Sequence, residues 1–248
     1  MSLTDTSVVQ PRRRDQGLRL ALWLVVIIVI GEYLARHFVL FWPPAIGSLR
    51  VNDMLATGIL YAALVWLTLP AGKRSLASIG QAVGEILRTA RRWQVWLAAL
   101  VTTVAVILLS LVDQILWGSV QLPSVVSPWR WETTILEAAA PLLVPVSLLI
   151  VNCVVVPFAE EWLWRGLIQP RVVAAAGGVL GIAVTSALFS LKHAIIDASL
   201  GRLLALTGFG LVMGVLASRY GWRAAALAHA LANTVATLLA LAAGLPLG

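Results

Sequence analysis

Residues 21–30 read ALWLVVIIVI, an apolar stretch without a charge. The stretch belongs to a longer apolar run from about Leu18 to Leu40, and about 20 such residues suffice to cross the hydrocarbon of a bilayer. Across the whole chain, 60% of the 248 residues are hydrophobic and only 12% are charged, whereas soluble domains carry about a quarter charged residues. The sequence therefore predicts an all-α fold, a polytopic transmembrane helix bundle.

Apolar runs separated by charged, proline or glycine breaks predict about seven spans, with eight as the alternative count. The runs lie near residues 18–40, 51–69, 93–117, 135–157, 177–193, 203–219 and 222–243. The fourth run is difficult to assign, because it contains few breaks other than Pro141, Pro145 and Pro157. Residues 135–170 as a whole are too long for one straight crossing and too short for two, so we expect a kinked or broken helix near Pro157.

Two other segments are not predicted to span. Residues 74–92 are amphipathic with basic ends, which is typical of a helix on the inner membrane surface. Residues 118–134 are expected to form an outer loop. We interpret the chain as one membrane domain, in which residues 1–134 supply the N-terminal helices and the surface segment and residues 135–248 supply the rest.

The net charge of +7 does not indicate nucleic acid, because the basic residues cluster at the ends of apolar runs, where anionic headgroups attract them. Most of the 18 Lys and Arg residues fall on the side of the N-terminus. The positive-inside rule then predicts a cytoplasmic N-terminus, and we expect an integral protein of a bacterial cytoplasmic membrane. Membrane lipid is the partner that the composition implies, and the oligomeric state stays open.

Charged side chains inside a bilayer are costly and usually functional. One stretch holds Glu160 and Glu161 next to each other, followed by Arg165. On a helix, Glu161 and Arg165 share a face in the favourable order for an ion pair, whereas Glu160 points about 100° away. An acid in apolar surroundings can take a proton from water; the alternative is a salt bridge at the end of an interfacial helix.

Two further groups of polar residues lie in the later runs. The first contains Phe189 and His193, and the second places His229 and Asn233 four residues apart on an alanine-rich helix. His and Asn can donate to a developing oxyanion, or they can simply bond neighbouring helices to each other. The first three spans contain no comparable set, so the sequence predicts one buried polar site in the later spans.

The three motifs together resemble the CPBP family, which includes type II CAAX prenyl endopeptidases and lysostaphin-resistance-protein-A-like proteins. EExxxR corresponds to Glu160, Glu161 and Arg165, FxxxH to Phe189 and His193, and HxxxN to His229 and Asn233. The resemblance covers about residues 135–243, which would make residues 135–248 a catalytic helix core.

The resemblance implies an enzyme, a glutamate-dependent intramembrane endopeptidase that acts on a peptide or protein substrate in or at the membrane. Glu160 would activate water with help from His193, and His229 and Asn233 would stabilise the oxyanion. Glu161 and Arg165 would form a supporting pair, with Phe189 packing beside them. We expect no cofactor and no metal, although zinc held by Glu160, His193 and His229 is an alternative.

Other interpretations remain at this stage. A non-catalytic peptide-binding or bacteriocin-immunity membrane protein would keep the same polar residues for architecture, and a transporter would use Glu160 as a proton relay. The predicted helix 177–193 also conflicts with a single site, since it puts His193 near the outer end, far from an inner Glu160. Either the predicted boundary is wrong, the helix is tilted, or Glu160 lies deeper, around the middle of the membrane; we question the boundary first.

Overall fold

The computed structural model describes residues 11–37, 45–46, 49–118, 120, 122 and 134–242. Within these residues the chain is helical, apart from short connections and an antiparallel ladder of Ala45–Ile46 with Leu49–Arg50. The first four helices are α1 (Pro11–His37), α2 (Val51–Thr68), α3 (Leu76–Ala90) and α4 (Trp93–Trp117), with a 3₁₀ turn at Ala71–Lys73. The last three are α8 (Gly178–Ile196), α9 (Leu203–Tyr220) and α10 (Trp222–Ala242).

One continuous helical run lies between these two groups. It consists of α5 (Thr134–Ser147), a π-helical stretch (Leu148–Val155), α6 (Val156–Glu161), a second π-helical stretch (Trp162–Ile168) and α7 (Gln169–Ala176). The helix is therefore not broken near Pro157, and the fourth span does not end at residue 157, while a kink there stays a prediction. Proline lacks the backbone N–H of an α-helical bond, and here the hydrogen-bond pattern changes on both sides of α6 while the helix continues. Such π-helical insertions often mark functional sites.

The distribution of side chains is that of a protein surrounded by lipid. Large apolar side chains face outward, for example Ile59, Leu67 and Ile115, which expose 69%, 70% and 83% of their surface. Polar residues lie inside instead, and those that are at least nine-tenths buried include Glu32, Thr102, Asp113, Glu160, Glu161, Arg165, Lys192 and His229. Outward apolar patches of this extent are unfavourable in water, so the chain is an integral membrane protein.

Five helices of the described part are long and apolar enough to cross a membrane. They are Arg14–His37, Trp93–Trp117, Pro141–Ala176, Gly178–Ile196 and Leu203–Tyr220. The helix Met54–Thr68 is apolar but shorter. Helices occur at all the predicted positions, while the count of seven spans stays a prediction. The outer loop predicted at residues 118–134 lies mostly outside the described residues.

The amphipathic segment is the helix α3, which begins after Ser75, whose hydroxyl accepts from the Ser78 N–H at 3.2 Å. Its Glu85 forms a 2.7 Å ion pair with Arg223 at the start of α10. This ion pair connects α3 to α10 at one end of the bundle. Its location on the inner membrane surface stays a prediction.

The later helices surround a tightly packed centre. Helix α9 packs between α4 and α8, and α10 packs against α4, α9 and the long run, while α1 and α2 close the opposite side. A side chain at Gly210 of α9 would lie 2.9 Å from the Ser186 Cβ on α8, so the close approach of these helices requires glycine there. Gly221, with φ of +85°, ends α9 and turns the chain directly into α10. This packing brings side chains from six helices into one buried region.

Candidate active site

The two adjacent carboxylates lie at the C-terminal end of α6. The Glu160 side chain exposes 2% of its surface and Glu161 exposes none. Because successive helical residues point about 100° apart, the two acids face different helices. They form two groups, the Glu160 cluster (Glu32, Tyr61, Glu160, Lys192 and His193) and the Glu161 cluster (Glu161, Arg165 and His229).

In the Glu161 cluster, the acid is held between a guanidinium and an imidazole. Arg165 Nε lies 3.3 Å from Glu161 Oε2, and His229 Nδ1 lies 3.1 Å from Glu161 Oε1. Arg165 also donates from Nη2 to the Gly210 carbonyl at 3.2 Å and lies over the Phe189 ring, 4.7 Å from its centroid. The ion pair expected from the sequence spacing is therefore present. Together with the contacts to His229 and Gly210, it connects α6, the second π-helical stretch, α9 and α10.

Helix α10 presents a line of polar side chains, each four residues after the last, to the long helical run. His229 contacts Glu161, and Asn233 donates from Nδ2 to the Asn152 carbonyl at 2.9 Å. Thr237 Oγ1 lies 3.5 Å from Cys153 Sγ. Since α-helical residues four apart share a face, one face of α10 bonds both to α6 and to the first π-helical stretch.

In the Glu160 cluster, Glu160 is in contact with groups from two other helices. Lys192 Nζ on α8 lies 2.5 Å from Glu160 Oε1, and the Tyr61 hydroxyl on α2 lies 2.8 Å from the same oxygen. His193 Nε2 lies 3.8 Å from it. The Lys192 side chain is completely buried, whereas His193 exposes 17% of its side chain. His193 is thus the member of this cluster that is most open to its surroundings.

A second acid completes the Glu160 cluster from α1. Glu32 Oε2 lies 2.6 Å from the Tyr61 hydroxyl and 2.9 Å from Lys192 Nζ. The expectation that the first three spans contain no comparable polar set is therefore wrong. Glu32 sits in an apolar run and could have been found by the same rule that identified Glu160, that intramembrane acids are rare and usually functional.

Aromatic rings link the two histidines. Phe189 contacts His193 with a centroid distance of 4.9 Å, and Phe209 contacts His229 at 4.6 Å. The two phenylalanine rings stack on each other at 5.7 Å, and Trp164 meets Phe189 edge-on at 5.4 Å. Phe189 therefore packs and orients both clusters, and the contacts fix the planes of both imidazoles.

The structure brings the predicted residues together in two sets, except Asn233, which bonds to the Asn152 carbonyl instead. His193 lies beside Glu160, in a helix that continues to Ile196, beyond the predicted end at residue 193. Glu160 itself lies inside the candidate span Pro141–Ala176 and not at its end. His229 bonds to Glu161 and not to Glu160. Among the described residues, no group of three or more His, Cys, Asp or Glu side chains has the arrangement of a metal site.

A cavity of about 450 Å³ lies on the neighbouring face of α6. Its wall includes Ala62 and Trp66 of α2, Phe158 and Ala159 of α6, and Trp222 of α10. Charged and polar groups are also part of its lining, namely Lys73, Ser78, Gln81, Glu85 and Arg223. The cavity therefore adjoins the helix turn that holds Glu160 without including the carboxylate in its lining.

Fold and site together define a helical membrane protein that holds acids, imidazoles and a lysine in its interior. Residues 142–235 match the family described as type II CAAX prenyl endopeptidase Rce1-like. The match covers this segment alone, and it agrees with the resemblance of the three motifs to the CPBP family. No curated protein and no solved structure matches the chain.

Proposed function

We propose that the chain is a glutamate-dependent intramembrane endopeptidase in which Glu160 activates the attacking water. The proposal depends mainly on the position of Glu160 relative to His193. Their nearest atoms are 3.8 Å apart, too far for a direct hydrogen bond but suitable for one water that bonds to both at about 2.8 Å. Such a water would be held by a base on one side and an imidazole on the other.

The reaction follows from these groups. Glu160 takes a proton from the water while the water oxygen forms a bond to the carbonyl carbon of the substrate, which becomes a tetrahedral oxyanion. The C–N bond then breaks, and Glu160 returns the proton to the leaving amine. The charges on Glu160 are the same before and after one cycle, so no further reactant is needed.

His229 and Asn233 would donate hydrogen bonds to the oxyanion. A carboxylate only accepts, so the Nδ1 of His229 carries the hydrogen that bonds to Glu161. Donation from Nε2 then requires a hydrogen on both ring nitrogens. Asn233 has a second N–H besides the one that bonds to the Asn152 carbonyl.

The substrate is a peptide or protein in or at the membrane, and membrane lipid surrounds the enzyme. The cavity beside α6 would receive an apolar part of the substrate, since most of its named lining residues on α2 and α6 are apolar. We further propose the cytoplasmic membrane of a bacterium as location, a cytoplasmic N-terminus and a reaction without metal.

The test compares peptides released from membranes that contain the native protein with those from membranes that contain Glu160→Gln. The exposed acid Asp15 supplies the control Asp15→Asn, which makes the same chemical change outside the site. We expect peptides that appear with the native protein and with the control but not with Glu160→Gln. Equal peptide sets, with all three proteins folded and equally abundant, would exclude the peptidase and favour a binding protein.

A further inference from the structure

The hydroxyl of Tyr61 has one hydrogen but lies close to two carboxyl groups. It lies 2.6 Å from Glu32 Oε2 and 2.8 Å from Glu160 Oε1. A phenol has one hydrogen and can donate it to only one of these oxygens. The other contact is a hydrogen bond only if the carboxyl group itself supplies a hydrogen.

The neighbouring ammonium does not supply the missing hydrogen. Lys192 has three hydrogens, and its Nζ has three partners: Glu160 Oε1 at 2.5 Å, Glu32 Oε2 at 2.9 Å and the Tyr61 oxygen at 3.0 Å. All three hydrogens are therefore used. The Tyr61 oxygen then donates once and accepts twice, once from Lys192 and once from a protonated carboxyl group, which fills its capacity.

The net charge of the cluster also requires one additional proton. Two carboxylates and one ammonium carry a net negative charge in a region where the three side chains expose 5%, 2% and 0% of their surface. An uncompensated buried charge is strongly destabilising. Arg165 is paired with Glu161 and lies in the other cluster. One additional proton makes the group of Glu32, Glu160 and Lys192 neutral. A proton on His193, 3.8 Å from Glu160, would also balance the charge but would not supply the hydrogen missing between Tyr61 and the carboxyl groups.

We propose that Glu32 and Glu160 are one carboxyl pair that shares a single proton through the Tyr61 hydroxyl, with Lys192 neutralising the remaining charge. In the resting state Glu32 donates to Tyr61, and Tyr61 donates to the Glu160 carboxylate. Glu32 is thus a positioning residue, supplied by a helix outside the matched segment 142–235. This role rests on the proposed function, but the shared proton does not.

The shared proton is measurable without any substrate. The measurement subtracts the infrared spectrum of each variant from that of the native protein, both folded in lipid. The native chain should show the carbonyl band of one carboxylic acid, and this band should be absent from both Glu32→Gln and Glu160→Gln. Each variant leaves one carboxylate opposite Lys192, which needs no additional proton. The control Asp15→Asn should keep the band. If the native chain lacks it, or if it survives both substitutions, the shared proton is excluded.

The Tyr61 bridge has its own variant. Tyr61→Phe keeps the ring and removes only the hydroxyl, so the acid band should remain but shift in frequency, because the acid loses its acceptor. An unshifted band would overturn the bridge. This measurement also serves if a variant at Glu32 fails to fold.

Turnover tests the positioning role. Glu32→Gln places a neutral hydrogen-bond donor where the acid stood, so its turnover should stay within about tenfold of the native value. Glu32→Ala removes the donor and should lower turnover about 100-fold, at the lower end of the range for a general base. Equal losses in both variants would refute the positioning role. If Glu160→Gln itself retains turnover, the proposed function fails, and the infrared band still decides whether the proton is shared.

Discussion

Glu160 and Glu161 are neighbours in the chain, yet different helices surround them. Glu160 faces α1, α2 and α8, where it contacts Lys192 and Tyr61. Glu161 faces Arg165 of the second π-helical stretch and His229 of α10, which lie 3.3 and 3.1 Å from its two oxygens. The second acid is held by an ion pair on its own helical run, while the first depends on groups that are far away in sequence. We therefore propose that the acid supports the structure in one cluster and carries out chemistry in the other, although the residue type is the same.

The largest effect is expected from breaking the Glu161 cluster. Glu161→Ala or Arg165→Ala leaves its partner as an uncompensated charge in the interior, which costs about 3–5 kcal/mol. We expect lower expression and a lower free energy of unfolding, measured by denaturant titration in detergent. Glu160→Gln should unfold close to the native protein. If both Glu161→Ala and Arg165→Ala fold normally, the pair does not support the structure.

Removal of the ammonium from the Glu160 cluster should affect activity more than folding. In Lys192→Met, two carboxyl groups remain near one phenol without a cation, so Glu160 retains a proton and no longer acts as a base. We expect a loss of about 100-fold in turnover, within the range for general base catalysis. The exposed Arg219, which is not part of the cavity lining, supplies the control Arg219→Met, which should leave turnover unchanged. A fully active Lys192→Met protein would contradict this account of the cluster.

A third buried acid sharpens the contrast, because its role is structural. Asp113 on α4 is fully buried and accepts from the backbone N–H groups of Leu204 and Ala205 at 2.9 and 2.8 Å. It thereby caps the first turn of α9. Asp113→Ala should lower the free energy of unfolding by about 1–2 kcal/mol, as for other lost helix caps. Turnover per folded molecule should stay the same; a selective loss of turnover would assign Asp113 to the site.

The sequence predicts local features better than contacts between distant helices. The length of apolar runs located α4 at its observed bounds and α10 to within a residue, because hydropathy depends only on neighbouring residues. The Glu161–Arg165 pair followed from helical spacing. The contact of Lys192 with Glu32 spans 160 residues, and no periodicity indicates which helices meet. The continuous run through Pro157 was missed because π-helical stretches have no sequence pattern that we could recognise.

The smallest effect is expected from removing metal ions, and this result decides whether the two clusters are separate. A zinc ion held by Glu160, His193 and His229 would require His229 to leave Glu161, since its Nδ1 now lies 3.1 Å from that acid, and would merge both clusters into one site. We expect treatment with a chelator to leave turnover unchanged, because proton transfer by Glu160 and hydrogen bonds to the oxyanion need no metal. Loss of activity that zinc alone restores would show that Glu160 and His229 bind one ion. The two acids would then differ because Glu160 binds the metal ion and Glu161 does not.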